Sequence, residues 1–107
     1  MVEHRPTLDT IFGSLADSTR RDILRRVAKK ALSVNEIAQS YDMTLAAISK
    51  HLMVLQRAKL IRKHRRGKRQ FVALSPPAFR DASQYLAQYT RLWEDRFDQL
   101  EALLKEK

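Results

Sequence analysis

The chain has 107 residues, the size of one domain with a modest core, and carries 21 Lys and Arg against 12 Asp and Glu. Its formal charge of +9 and pI near 10.4 point to a polyanionic partner, nucleic acid before an anionic membrane surface. With no cysteine, disulfides, thiolate catalysis and thiolate metal sites are excluded. No apolar run reaches the roughly 18 residues of a membrane span. The opening MVEHRPTLDTIF lacks an apolar signal core. The expectation is a single cytosolic domain, 1–107, with no membrane partner.

Residues 1–6 read as a short flexible arm. Thr7 is placed to cap a first helix carrying Leu8, Ile11, Phe12 and Leu15. Asp17-Ser18 ends it, and Ser18 is read as the cap of a second helix over Thr19 to about Lys30. Ile23, Leu24, Val27 and Ala28 form the apolar side of that helix. Its other side is basic.

The stretch 33–57 reads as a helix-turn-helix. Ser33 and Glu36 stand at capping-box spacing, and Val34, Ile37 and Ala38 share a face. Tyr41-Asp42-Met43-Thr44 breaks the pattern, and Thr44 is read as the cap of the next helix. There Ile48, Leu52 and Leu55 recur at helical spacing and predict one buried stripe. Ala46, Lys50, Met53 and Arg57 fall opposite. A small, cation-bearing face on the second helix suits the major groove.

After Leu55 the pattern becomes extended. Residues 60–74 read as a β-hairpin with a long basic tip around RKHRRGKRQ, Gly67 being suited to positive φ. Eight cations stand within the thirteen residues 57–69. Their chemistry suits phosphate contacts, which give affinity without sequence specificity. A last helix is predicted over 77–105. Phe79, Leu86, Trp93 and Leu100 repeat every seven residues, with Phe97 and Leu104 four beyond the last two, as in a coiled-coil seam. Residues 1–77 hold 16 basic and 6 acidic residues, whereas 78–107 hold 5 and 6. The last helix therefore stands apart from the basic surface and reads as a dimer element. Tyr89 and Trp93 could alternatively line a small-molecule pocket.

No catalytic constellation emerges. Ser49 and His51 are two apart on a helix and point in different directions. His4, His51 and His64 lie on different elements, without metal-ligand spacing. The expectation is no enzyme, no metal and no cofactor.

These residues resemble the ArsR/SmtB-type winged helix-turn-helix transcriptional repressors. The likeness is carried by LADSTRRDILRRV (15–27), LSVNEIAQSYDMTLAAISKHLMVLQRAKLI (32–61) and the basic hairpin through FVALSP (71–76). The resemblance implies a mainly α fold with a small β-hairpin, in the order α-α-α-α-β-β-α. It implies a recognition helix over 44–57, a wing over 61–74, and a homodimer through the first and last helices. Metal-sensing members carry cysteines where Ser33 and Asn35 stand here, and residues 78–107 contain no His. The non-metal-sensing branch is therefore implied.

The resulting expectation is a repressor bound to a palindromic double-stranded DNA operator. Thr44, Ala46, Ala47, Ser49, Lys50, His51 and Arg57 would meet DNA from the recognition helix. Lys63, Arg65, Arg66, Lys68 and Arg69 would do so from the wing, with Arg20 and Arg21 as lesser phosphate contacts. Leu8, Ile11, Phe12, Leu86, Tyr89, Trp93, Phe97, Leu100 and Leu104 would form the dimer interface. The competing expectation is a winged-helix module that binds RNA or an acidic protein.

Overall fold

The computed structural model describes residues 7–106. The arm expected over 1–6 lies outside the described residues. Helix α1 (Leu8–Ser14) starts at Thr7, whose hydroxyl oxygen accepts the Thr10 N–H at 3.1 Å. Helix α2 (Ser18–Lys29) is capped by Asp17 rather than by Ser18. The Asp17 carboxylate accepts the Arg20 N–H at 3.0 Å. An ionised cap also suits the positive end of the helix dipole, which favours it over the adjacent hydroxyl.

The first strand, β1 (Leu32–Ser33), has no counterpart in the expected element order. It pairs antiparallel with the later strand β3 (Arg69–Leu74), Leu32 opposite Val72 and Ser33 opposite Phe71. With β2 (Ile61–Arg66) the sheet has three strands in the order β1-β3-β2. Ser33 then ends β1 and caps helix α3 (Val34–Gln39) at once. The Glu36 N–H donates to Ser33 Oγ and the Ser33 N–H to Glu36 Oε1, both at 3.1 Å.

Helix α4 (Leu45–Arg57) starts at Thr44 as expected, with Thr44 Oγ1 accepting the Ala47 N–H at 3.1 Å. Its other end is closed by a Schellman turn. The Leu60 N–H reaches the Leu55 carbonyl at 3.1 Å, and the Lys59 N–H reaches that of Gln56 at 3.0 Å. Lys59 takes φ 60°, the left-handed position usually left to glycine. This turn drives Leu60 and Ile61 straight back into the core, where they are 0% and 2% exposed.

The wing is tighter than expected. Strands β2 and β3 pair as far as Arg66 opposite Arg69, leaving only Gly67-Lys68 as the turn. Gly67, at φ 64°, is the first turn residue, the position that a type II′ hairpin reserves for glycine. The cations stand along paired strands rather than on a loose tip.

The core gathers Ile11, Ile23, Ile37, Ile48, Leu52, Leu55 and Val72 under the sheet and helices. Ile11 is 1% exposed and belongs to the protomer's own core, so its expected interface role does not hold. Helix α5 (Pro76–Lys105) opens with two prolines after Ser75. Only Ala78 and Ala82 of its residues are buried. At about 1.5 Å per residue the helix is roughly 45 Å long, and everything from Leu86 onward is exposed. The radius of gyration is accordingly 18.4 Å, against about 13 Å for a compact domain of this size. Among the described residues no helix is long and apolar enough to cross a membrane.

A left-handed non-glycine residue costs about 1–2 kcal/mol, and glycine returns about 0.4–1 kcal/mol of that through the unfolded chain. Lys59→Gly should therefore raise stability by roughly 0.5–1 kcal/mol. Urea unfolding should show a higher midpoint with an unchanged slope.

Candidate nucleic-acid interface

The geometry follows from which side of α4 the core claims. Ile48, Leu52 and Leu55 are fully buried. Thr44, Ala46, Ser49, Lys50 and Arg57 lie exposed, while Ala47 is half-buried. Leu45, which the sequence reading left out of the site, stands 58% exposed on the same outward side as Ser49. Its i, i+4 relation to Ser49 was the signal available.

His51 turns inward instead. Its Nδ1 lies 3.3 Å from an Arg20 guanidinium nitrogen and 3.8 Å from the Asp17 carboxylate. Arginine only donates, so Nδ1 is the acceptor in the contact with Arg20. His51 thus joins α4 to the start of α2, and the expectation that it meets DNA is set aside.

Arg20 and Arg21 are engaged at the end of α1. Arg20 Nε donates to the Ser14 carbonyl at 2.7 Å and its Nη2 to that of Gly13 at 3.3 Å. Arg21 Nη1 donates to the Leu15 carbonyl at 2.8 Å. The Ser14 and Leu15 carbonyls are orphan acceptors of a helix C-terminus, whereas that of Gly13 also accepts the Ala16 N–H at 3.2 Å. Both arginines therefore fasten the end of α1, Arg20 through two carbonyls and Arg21, which remains exposed, through one. The Arg20 N–H on Asp17, aided by the charges of His51 and Arg20, keeps the Asp17 carboxyl below its ordinary range. The Tyr41 hydroxyl, which donates to Asp22, and the Arg25 guanidinium at 2.6 Å do the same for Asp22.

Strand register sorts the wing cations into two faces. Arg66 and Arg69 oppose each other, a like-charge pair that is unfavourable in itself. Both lie over the Phe71 ring, at 5.6 and 5.9 Å from its centre, and His64 stacks on it at 5.8 Å. Cation–π attraction offsets part of the repulsion and fixes the two guanidiniums. Lys63 and Arg65 point to the other face, opposite Val72 and Gln70. Period-2 alternation carried that division in the sequence.

A cleft of about 280 Å³ joins the parts. Asn35 at the start of α3, Leu45 and Ser49 on α4, and Lys68, Arg69 and Gln70 on the wing line it. The start of α3, the start of α4 and the wing tip thus share one concave, positively charged surface. Ser33 also borders it, but its hydroxyl is taken by the α3 cap. Among the described residues no group of three or more His, Asp or Glu could hold a metal ion.

Residues 15–64 match the family described as a helix-turn-helix domain. A crystal structure of an ArsR family transcriptional regulator superposes with a TM-score of 0.76 at 34% identity, covering 88% of this chain and 97% of that one. The chain belongs to the ArsR family of winged helix-turn-helix transcriptional regulators. It is 38% identical over 68 residues to an HTH-type transcriptional regulator of Mycobacterium tuberculosis, Rv2034, covering 64% of each chain. It therefore spans slightly under two thirds of that relative's length. It is 26% identical over 82 residues to the transcriptional repressor SdpR of Bacillus subtilis, covering 77% of this chain and 91% of that one. Within this ArsR-type fold, α3 and α4 are the helix-turn-helix and β2–β3 is the wing.

Arg20→Ala should destabilise the domain by about 1–3 kcal/mol, because it leaves the Ser14 carbonyl at the α1 end without its donor. The dependence of DNA binding on salt should keep its slope. A phosphate contact would instead reduce that slope by about 1. Urea midpoints and binding titrations across salt concentrations measure both.

Proposed function

We propose that this ArsR-family chain is a homodimeric repressor that reads a palindromic double-stranded DNA operator in the prokaryotic cytosol. The observation that carries the reading is the shared concave surface of α4 and the wing. It is lined by Leu45 and Ser49 of α4 with Lys68 and Arg69 of the wing, and Lys50 stands exposed beside Ser49 on the same helix. Thr44, Ala46, Ala47, Ser49 and Lys50 form the base-reading end, with Arg57 at the far end of the same helix. Lys63, Arg65, Arg66, Lys68 and Arg69 hold backbone phosphates or a minor groove. Phosphate contacts position the protein and base contacts specify the sequence.

The dimer is supported by α5. Leu86, Tyr89, Trp93, Phe97, Leu100 and Leu104 stand between 43% and 67% exposed along one stretch of helix. Leu8 and Phe12 flank its base, and Phe12 meets Tyr85 ring to ring at 5.9 Å. A second copy would cover this seam and set two α4 helices about 34–36 Å apart, one turn of duplex. Occupying the duplex is sufficient for repression, and the likeness to SdpR supports that direction.

Arg66→Ala should weaken binding nearly equally on operator and random duplex, and lower the salt slope by about 1. Lys50→Ala should erode the difference between the two duplexes, by about 1–3 kcal/mol if it contacts a base. Titrations on both DNAs at several salt concentrations decide; equal losses from both variants on both DNAs would sink the division of roles. A clear preference for structured RNA in competition would overturn the DNA reading. Trp93→Glu places a charge in the seam and should yield monomers by sedimentation, with operator affinity lost together with the dimer.

A further inference from the structure

The leading end of α4 offers the major groove an apolar surface. Thr44 Oγ1 already accepts the Ala47 N–H at 3.1 Å. The next three residues are Leu45, Ala46 and Ala47. The first side chains beyond them able to hydrogen-bond a base are Ser49 and Lys50, a full turn later. Leu45 is 58% exposed and takes no part in the core. It lines the cleft that Ser49, Lys68 and Arg69 share, so it lies between the reading helix and the wing that would clamp it onto DNA.

A recognition helix presents its N-terminal residues to base edges. In the major groove those edges show donors and acceptors, with one apolar feature, the thymine 5-methyl group. A donor or acceptor pressed against Leu45 would lose its water without gaining a partner, which is unfavourable. A methyl group there loses only water that it gains by leaving. Ala46 and Ala47 beside it leave room for a close approach.

We propose that Leu45 is a specificity-determining residue that packs on a thymine 5-methyl group, so that each operator half-site carries a thymine beneath the first turn of α4. The assignment rests on the DNA-reading function above and deepens it.

The test begins by selecting an operator from a pool of random duplexes with the full-length chain. Each operator thymine is then replaced singly by deoxyuridine, which removes only the methyl group. One position per half-site should weaken wild-type binding about fourfold, the effect of burying one methyl-sized group. Leu45→Ala and Leu45→Gln should bind the thymine and uracil forms alike. Unchanged thermal melting in both variants shows that they are folded. The assignment is overturned if the wild type ignores every uracil, or if both variants keep the wild-type sensitivity. Selection of no duplex at all would defeat the DNA-reading function as well, and differs visibly from an operator that is selected yet indifferent to its methyl groups.

Discussion

The burial of one stripe of α4 sets most of what this protein presents to its surroundings. Ile48, Leu52 and Leu55 are 0% exposed. Fully burying side chains of this size contributes about 1.5–3 kcal/mol each, a sum comparable to the whole stability of an ordinary domain at roughly 5–15 kcal/mol. Rotating the helix would give that up, so its outward face is fixed. The stripe also continues past the helix end. The left-handed turn at Lys59 returns Leu60 and Ile61 to the same core, and Ile61 begins the wing. Reading helix and wing are consecutive products of one packing decision, and their shared cleft follows from it.

Charge is arranged around that frame rather than within it. On α2, Asp22 pairs with Arg25 and accepts from Tyr41, while the Arg26 guanidinium lies 5.5 Å over the Tyr41 ring. On the wing, by contrast, the cations form no salt bridge with a carboxylate among the described residues. Arg66 and Arg69 are held next to each other on Phe71, so their mutual repulsion persists in the free protein. Such a surface gains from any polyanion that neutralises it, and releasing the polyanion's condensed counterions adds to the gain. In the proposed DNA-reading function, affinity is thus concentrated on the strands and discrimination is left to the nearly uncharged start of α4.

Much of this was legible in the residues because short-range chemistry wrote it. The caps at Thr7, Ser33 and Thr44, the α4 stripe and the turn at Gly67 each depend on neighbours within a few positions. What escaped depends on distant parts of the chain. The β1 strand has two residues, too few for any period, and exists because Val72 and Phe71 lie beside it. Ile11 sits on an apolar helix face, and a helix face does not state whether it packs on its own chain or on another. Arg20 and Arg21 resemble phosphate contacts until the end of α1 is seen folded back over them, six or seven residues away in sequence. Asp17 and Ser18 are both good caps by composition. The extended backbone of Asp17 decides between them.

The same contacts that redirect the arginines provide a path between the two ends of the proposed function. Tyr85 on α5 touches Phe12 on α1. The next two residues of α1, Gly13 and Ser14, give their carbonyls to Arg20. Arg20 in turn meets His51 on α4. Each link is a direct contact, and together they run from the exposed dimer helix to the reading helix through the first turn of α2. A repressor that reads two half-sites needs the distance between its reading helices held to a small fraction of a helical turn of DNA. Hydrophobic cover along α5 alone would join the protomers yet leave α4 free to tilt against them. The Arg20–His51 contact adds to the buried stripe in resisting such a tilt, because moving α4 would separate His51 Nδ1 from its Arg20 donor while Arg20 stays fastened to the end of α1.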